Sequence, residues 1–225
     1  MTPEQNALFD LVTWDFPGAA IEAESFRRIE AEVPPEQRAR FSPSEWHIAR
    51  RLVHTTADFE ILPHLRFHGD PVGAGRAALR RGALIYSDSN MIKAGLSVPK
   101  LKRFHPGYNR DSILCEVASP DVAELAKREN ITRALAAVKL HEHELDGSIF
   151  LCGNAPLALA GMIRMIVEGG PRPALIVGMP VGFVNVLESK ELLKLVDVPY
   201  ITLEGRRGGS PLAVAALHAV MEDFL

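Results

Sequence analysis

From residue 70 onward, short apolar runs alternate with longer helical stretches, and this alternation limits the fold more than any other feature of the chain. The runs are GALIYSD (82–88), SILCEV (112–117), GSIFLCG (147–153), ALIVGMP (174–180) and PYITLEG (199–205). Each is short, mostly apolar throughout and closed by Gly, Pro, Asn or Asp, as expected of strands covered on both faces. Helical spacing fills the segments around them. SPDVAELAKREN starts at Ser119-Pro120, and APLALAGMIRMIVEGG opens at Pro156 and closes at Gly169-Gly170. Such alternation predicts a doubly wound α/β fold with right-handed crossovers and a mostly parallel five-stranded sheet.

The first 70 residues differ. AAIEAESFRRIEAEV reads as a helix ended by Pro34-Pro35, and SPSEWHIARRLVHTTADF as a second, with Ser42 or Ser44 as its cap. No Gly/Ser-rich linker, repeat or low-complexity tract interrupts the chain. One domain is expected over 1–225, with a helical arm at 1–70 and an α/β core at 71–225. A length of 225 residues with 47% hydrophobic and 24% charged residues suffices for a sizeable core. The net charge of −3 argues against a general nucleic-acid binder. No apolar stretch approaches the ~20 residues that span a bilayer. MTPEQNALFD lacks a basic segment followed by an apolar one, so no signal peptide, no membrane partner and a cytoplasmic location are expected. Cys115 and Cys152 sit in apolar runs and read as buried thiols, and their spacing carries no metal signature.

Three strand ends share a design: Gly153-Asn154-Ala155-Pro156, the segment MPVGFVNVLESK (179–190), and GRRGGS (205–210). In a parallel sheet they lie on one edge, where ligands collect. Each feeds a helix whose first N–H groups lack intrahelical partners and favour carboxylate or phosphate. In GRRGGS, Gly205, Gly208 and Gly209 permit close backbone approach, Ser210 is a candidate cap, and Arg206 and Arg207 offer guanidinium forks. The loop lacks the Lys-Ser/Thr ending of a nucleotide-binding P-loop.

A second constellation lies in EWHIARRLVHTTADFE (45–60). On a helix His47, Arg50, Arg51 and His54 form one basic stripe, while Trp46, Ala49 and Val53 face the core. Such a stripe is commonly a solvated face. The alternative is an acid–base histidine beside arginines that hold an acidic ligand. His54, in the last turn, sits where helix carbonyls attract positive charge. His64 and His68, flanking LRF, read as loop residues, His141 and His143 as an exposed helix end, and no histidine pair has the third partner of a zinc site.

Together GNAPLAL, VGMPVGFVNVLESK, PYITLEGRRGGS and RRLVHTTADFE resemble the precorrin-8X methylmutase family, over nearly the whole chain. The resemblance implies a flavodoxin-like three-layer α/β/α sandwich that forms a homodimer. It implies an isomerase of cobalamin biosynthesis that moves a methyl group from C-11 to C-12 of a corrinoid substrate, precorrin-8X or cobalt-precorrin-8. The product is hydrogenobyrinate or cobyrinate, and no cofactor is required. The family's catalytic histidine falls on His54. Its substrate-contacting serine and arginine fall on Ser25 and Arg133, and its strand-end motif on Asp88, Asn90 and Met91. The loop contacts fall on Gly153, Asn154 and Ala155, on Pro180, Val181, Gly182 and Phe183, and on Arg206, Gly208, Gly209 and Ser210, with Arg207 less secure. Gly153, Gly178 and Gly182 would let backbone approach the ring. Leu157 stands where a threonine is common. The chief alternative is a non-catalytic corrinoid carrier on the same fold. A flavin or nucleotide enzyme is disfavoured by the absence of a Ser/Thr-rich phosphate loop.

Overall fold

In the computed structural model, which describes residues 1–222, six strands form one sheet. They are β1 (Leu65–His68), β2 (Ile85–Ser87), β3 (Ile113–Leu114), β4 (Ile149–Cys152), β5 (Leu175–Gly178) and β6 (Tyr200–Leu203), in the order β1-β6-β5-β4-β2-β3. β2 to β6 are the five strands expected from sequence, and all their pairings are parallel. Their order has the flavodoxin-like form, in which winding reverses between the first and third strands, here β2 and β4.

The expected count of five strands is corrected by β1, which pairs antiparallel with β6 from Leu65↔Leu203 to His68↔Tyr200. LRFH reads as loop because its alternation of apolar and polar residues runs over only four positions; Leu65 is its one fully buried residue. Pairing at an edge, rather than pattern, makes it a strand. His68 stacks on Tyr200 with ring centroids 5.1 Å apart and lies 3.2 Å from Asp197, at the edge where β6 begins. His64 is exposed, at the end of a short 3₁₀ turn.

The N-terminal helices are α1 (Pro3–Asp10), α2 (Gly18–Glu32), the single turn α3 (Pro35–Arg38) and α4 (Pro43–Thr56). Between strands come α5 (Pro71–Arg80), α6 (Asn90–Gly95), α7 (Val98–Lys102), α8 (Pro120–Glu129), α9 (Arg133–Leu140), α10 (Pro156–Val167) and α11 (Val186–Glu191), and α12 (Ser210–Met221) follows β6. α4 is set by a full capping box, Ser42 accepting from the Glu45 N–H while Glu45 accepts from that of Ser42. Ile149 and Leu151 of β4 point into a core shared with α4, α5 and α12. Phe150 and Cys152 point the other way, into a core shared with α9 and α10. Burial on both faces explains why these strands read as unbroken apolar runs. Across the second face Tyr86 stacks on Phe150 at 4.7 Å, nearly coplanar.

The basic stripe on α4 is not solvated. Trp46, Ala49 and Val53 face the core as expected, but His47 and Arg51 are buried too, at 7% and 8% exposure. Arg51 donates to Glu22 of α2 at 2.7 Å and to Glu222, just past α12, at 2.6 Å. Lys100 donates to Glu222 at 2.8 Å, and His47 lies 3.5 Å from it. These charges staple α2, α4, α7 and α12 together. Burial alone would raise the Glu222 carboxyl, but hydrogen bonds from His47, Lys100 and Arg51 outweigh it and hold it far below the usual carboxylate range. His218 of α12 accepts from the Ser97 N–H at 3.2 Å, and burial, with Lys100 nearby, pushes it down to about 4.

Acid therefore weakens this corner in two windows. Between 6.5, where His218 titrates when unfolded, and about 4, the unfolded chain binds a proton that the folded chain refuses, so stability falls as pH drops. Glu222 adds a further loss once pH falls below its ordinary 4.5. The urea midpoint should decline from pH 7 to pH 4.5 and more steeply below. His218→Gln, which keeps an acceptor for Ser97, should flatten the first limb; an unaltered slope there would remove His218 from the account.

Candidate active site

The carboxyl ends of β2, β4, β5 and β6 form the edge on which the strand-end loops converge. At the reversal between β2 and β4 stands Asp88, 1% exposed. Its carboxylate accepts from the backbone N–H groups of Gly153 (3.1 Å), Asn154 (2.7 Å) and Ala155 (2.6 Å), and Cys152 Sγ lies 3.3 Å away. Asp88 was expected to touch substrate. Instead it occupies the anion site at the start of α10, and no side chain of the loop itself caps that helix. Burial, with the Asp88 charge beside it, pushes the Cys152 thiol well up, so it is a neutral, inert group.

The remaining loops are welded in series. Met179 N–H donates to the Cys152 carbonyl at 2.8 Å, and Gly209 N–H to the Met179 carbonyl at 2.8 Å. A Cβ on Gly153 would lie 2.7 Å from the Ser210 backbone, and one on Gly208 only 2.3 Å from the Met179 carbonyl oxygen. Gly153 and Gly208 are therefore required by loop-on-loop packing, and the expectation that Gly153 exposes backbone to a ligand is corrected. Gly178 likewise faces Leu193 and Leu159. Ser210 is the first residue of α12 rather than its cap, a place taken by Gly209, and its hydroxyl bonds that of Ser89 at 2.8 Å.

On this floor stands a lip of a different character. Phe183 and Val184 are 84% and 75% exposed, with Val181 beside them. The exposed Arg206 guanidinium lies 5.4 Å from the Phe183 ring centroid. Arg207 turns away to Asp58, 3.3 Å distant. That pair brings the end of α4 to the lip. Ala57 adopts a left-handed conformation (φ 51°) and terminates the helix immediately after His54-Thr55-Thr56. His54 is half-buried against Phe26 of α2, ring centroids 5.2 Å apart, and Arg50 and Arg51 cover the Phe26 ring at 4.3 and 4.7 Å. Ser25 precedes Phe26 and donates to the Ile21 carbonyl at 2.9 Å. Thr55, Met91 and Pro211 line a groove of about 360 Å³ between α4, α6 and α12. Met91 is 63% exposed, and Asn90 and Asn154 are exposed as well.

Thus His54, Ser25, Met91, the 181–183 lip and Arg206 gather at one end of the molecule. Arg133 does not join them directly: it opens α9 on the other face of the sheet, where Ile131 and Leu157 share a larger apolar groove of about 780 Å³. Its lining includes neither His54 nor the 181–184 and 205–210 loops. One residue escaped the sequence reading. Lys190, 4% exposed, donates to the carbonyls of Gly205 and Arg207, and burial pulls its ammonium down to about 8. Its signal was a lysine within a helix whose other charged side chains are exposed, which pattern alone does not distinguish.

Fold and edge define a doubly wound α/β protein whose strand-end loops converge at the switch end of its sheet. The precorrin-8X methylmutase family model matches residues 20–223. A cobalt-precorrin-8 methylmutase of Priestia megaterium is 41% identical over 200 residues, covering 89% of this chain and 85% of the relative. A precorrin-8X methylmutase of Pseudomonas aeruginosa is 38% identical, covering 92% and 96%. The solved precorrin-8X methyl mutase of Thermus thermophilus superposes with a TM-score of 0.80 at 46% identity, covering 91% of this chain and 95% of that one. The chain belongs to the precorrin-8X methylmutase family, isomerases that shift a methyl group within one molecule. A non-catalytic carrier finds no support in these relatives.

If Asp88 is the clamp of the switch, Asp88→Asn should cost roughly 2–4 kcal/mol in denaturant unfolding, because an amide offers one oxygen where the carboxylate offers two and adds donors facing N–H groups. Wild-type stability in Asp88→Asn would show that the loop holds itself.

Proposed function

We propose that the chain converts precorrin-8X, or its cobalt form, by moving the methyl group from C-11 to C-12, with His54 as the general acid. The observation that carries this reading is the lip: an apolar edge of Phe183 and Val184 beside the Arg206 guanidinium, next to the end of the helix that bears His54. A flat, apolar macrocycle fringed by carboxylates matches that pairing of surfaces. Arg206, Asn154 and Asn90 are exposed polar groups suited to the acidic fringe, and Met91 and Val181 to the ring. Ser25, one residue from the ring that packs on His54, is suited to orient the substrate at the migration site. Arg133, on the far face of the sheet, has no part in this lip.

In the reaction the bond from the methyl carbon to C-11 breaks as that to C-12 forms, and the ring electrons redistribute. Protonation of a nearby ring nitrogen by His54 draws electrons toward the shift, and the proton returns when the product forms. A positioned general acid contributes ~10²–10⁴-fold. The reading includes one domain, a cytoplasmic location and a homodimer, for which a second copy would cover exposed apolar side chains such as Val167 and Leu195.

His54→Ala should lower turnover by about a hundredfold or more. Binding of the coloured hydrogenobyrinate product, followed by absorbance through gel filtration, should be largely retained. Undiminished turnover would remove His54 from the mechanism.

A further inference from the structure

Lys190 Nζ donates to the Gly205 carbonyl at 2.8 Å and to the Arg207 carbonyl at 2.7 Å. These two carbonyls flank Arg206. The Arg206 carbonyl accepts from the Gly182 N–H at 3.3 Å, so three successive carbonyls bond to the 182–190 segment. The Arg206 side chain is left exposed over the Phe183 ring. Gly205 and Arg207 are themselves exposed, yet their carbonyls are held from within by a side chain that is 4% exposed. A buried ammonium carries a desolvation cost that a neutral donor would avoid. Satisfying the loop does not explain the lysine; setting its geometry does.

We infer that Lys190 is a positioning residue for substrate binding: it pins the 205–207 turn so that Arg206 stands preorganised at the lip to receive a substrate carboxylate. The inference rests on the site proposed above. Fixing the turn in advance removes an ordering cost that binding would otherwise meet, so the effect falls on affinity. Lys190 acts through Arg206 and makes no hydrogen bond to α4, so the proton-transfer step is not its concern.

The test is a double-mutant cycle on Lys190→Met and Arg206→Gln, read by hydrogenobyrinate binding and steady-state kinetics. Each single variant should weaken product binding roughly tenfold to a hundredfold, the range for a lost hydrogen bond to a charged group. In Lys190→Met, KM should rise far more than kcat falls, and the melting temperature should stay near that of wild type. The double variant should bind no more weakly than the worse single one, because both remove the same contact. If Lys190→Met does not fold, Lys190→Gln, which keeps a donor, replaces it in the cycle. Unchanged affinity in the Lys190 variant, or additive losses in the double variant, would overturn the inference. Wild-type protein that retains no corrinoid would instead overturn the site itself, and this inference with it.

Discussion

The carboxylate of Asp88 is the interaction on which the active edge depends. The reversal of winding between β2 and β4 opens a crevice there, and converging backbone N–H groups make it an anion site. A ligand would occupy it in many doubly wound proteins. Here the chain supplies its own anion, and three N–H donors close on Asp88. The crevice becomes a joint. Successive backbone bonds from Met179 to Cys152 and from Gly209 to Met179 extend that joint across β5 to β6. The result is a braced floor, with the exposed side chains of Val181, Phe183, Val184 and Arg206 standing on the turns above it.

The opposite wall is held by charge. Arg51 is buried between Glu22 and Glu222, and Lys100 shares the second carboxylate. Such a cluster adds little net stability once desolvation is counted. Its effect is to fix the angle at which α2 crosses α4. That crossing brings Phe26 onto His54 and sets Ser25 beside it. The same cluster reports on acid, because its carboxylate and the neighbouring His218 both favour their deprotonated forms in the folded chain.

Much of this was legible in the sequence, for identifiable reasons. β2 to β6 announced themselves because burial on both faces forces unbroken apolar runs. Helix α4 announced itself by its helical run behind Ser42 or Ser44, of which Ser42 is the cap. β1 did not, because four alternating residues at an edge are too few to stand out as a pattern. The roles of Asp88 and Lys190 were hidden for another reason. Asp88 binds N–H groups 65 to 67 residues away, and Lys190 binds carbonyls 15 and 17 residues away. Neither partner is marked by side-chain type, since the partners are backbone. Motif resemblance identified Asp88 as important but assigned it to the ligand. The glycines misled in the same way: Gly153 and Gly208 are needed for close approach, but the approaching surface is another loop.

Subtraction shows which polar groups at this end are left without an intramolecular partner. The buried charges at this end are already engaged: Asp88 by backbone, Lys190 by carbonyls, Arg51 by two glutamates. Arg207 is paired with Asp58. Among the described residues, Arg206 makes no ion pair and meets only an exposed aromatic face, and Asn154 and Asn90 have side chains open to solvent. A fold that pairs these buried charges and leaves the other groups outward, around Phe183 and Val184, presents an apolar surface with hydrogen-bond donors at its margin. Binding a ring by its face and its acidic fringe by such donors leaves the ring nitrogens uncovered by the rim. The reaction proposed above then takes its proton from a group standing apart from those donors, the role proposed for His54.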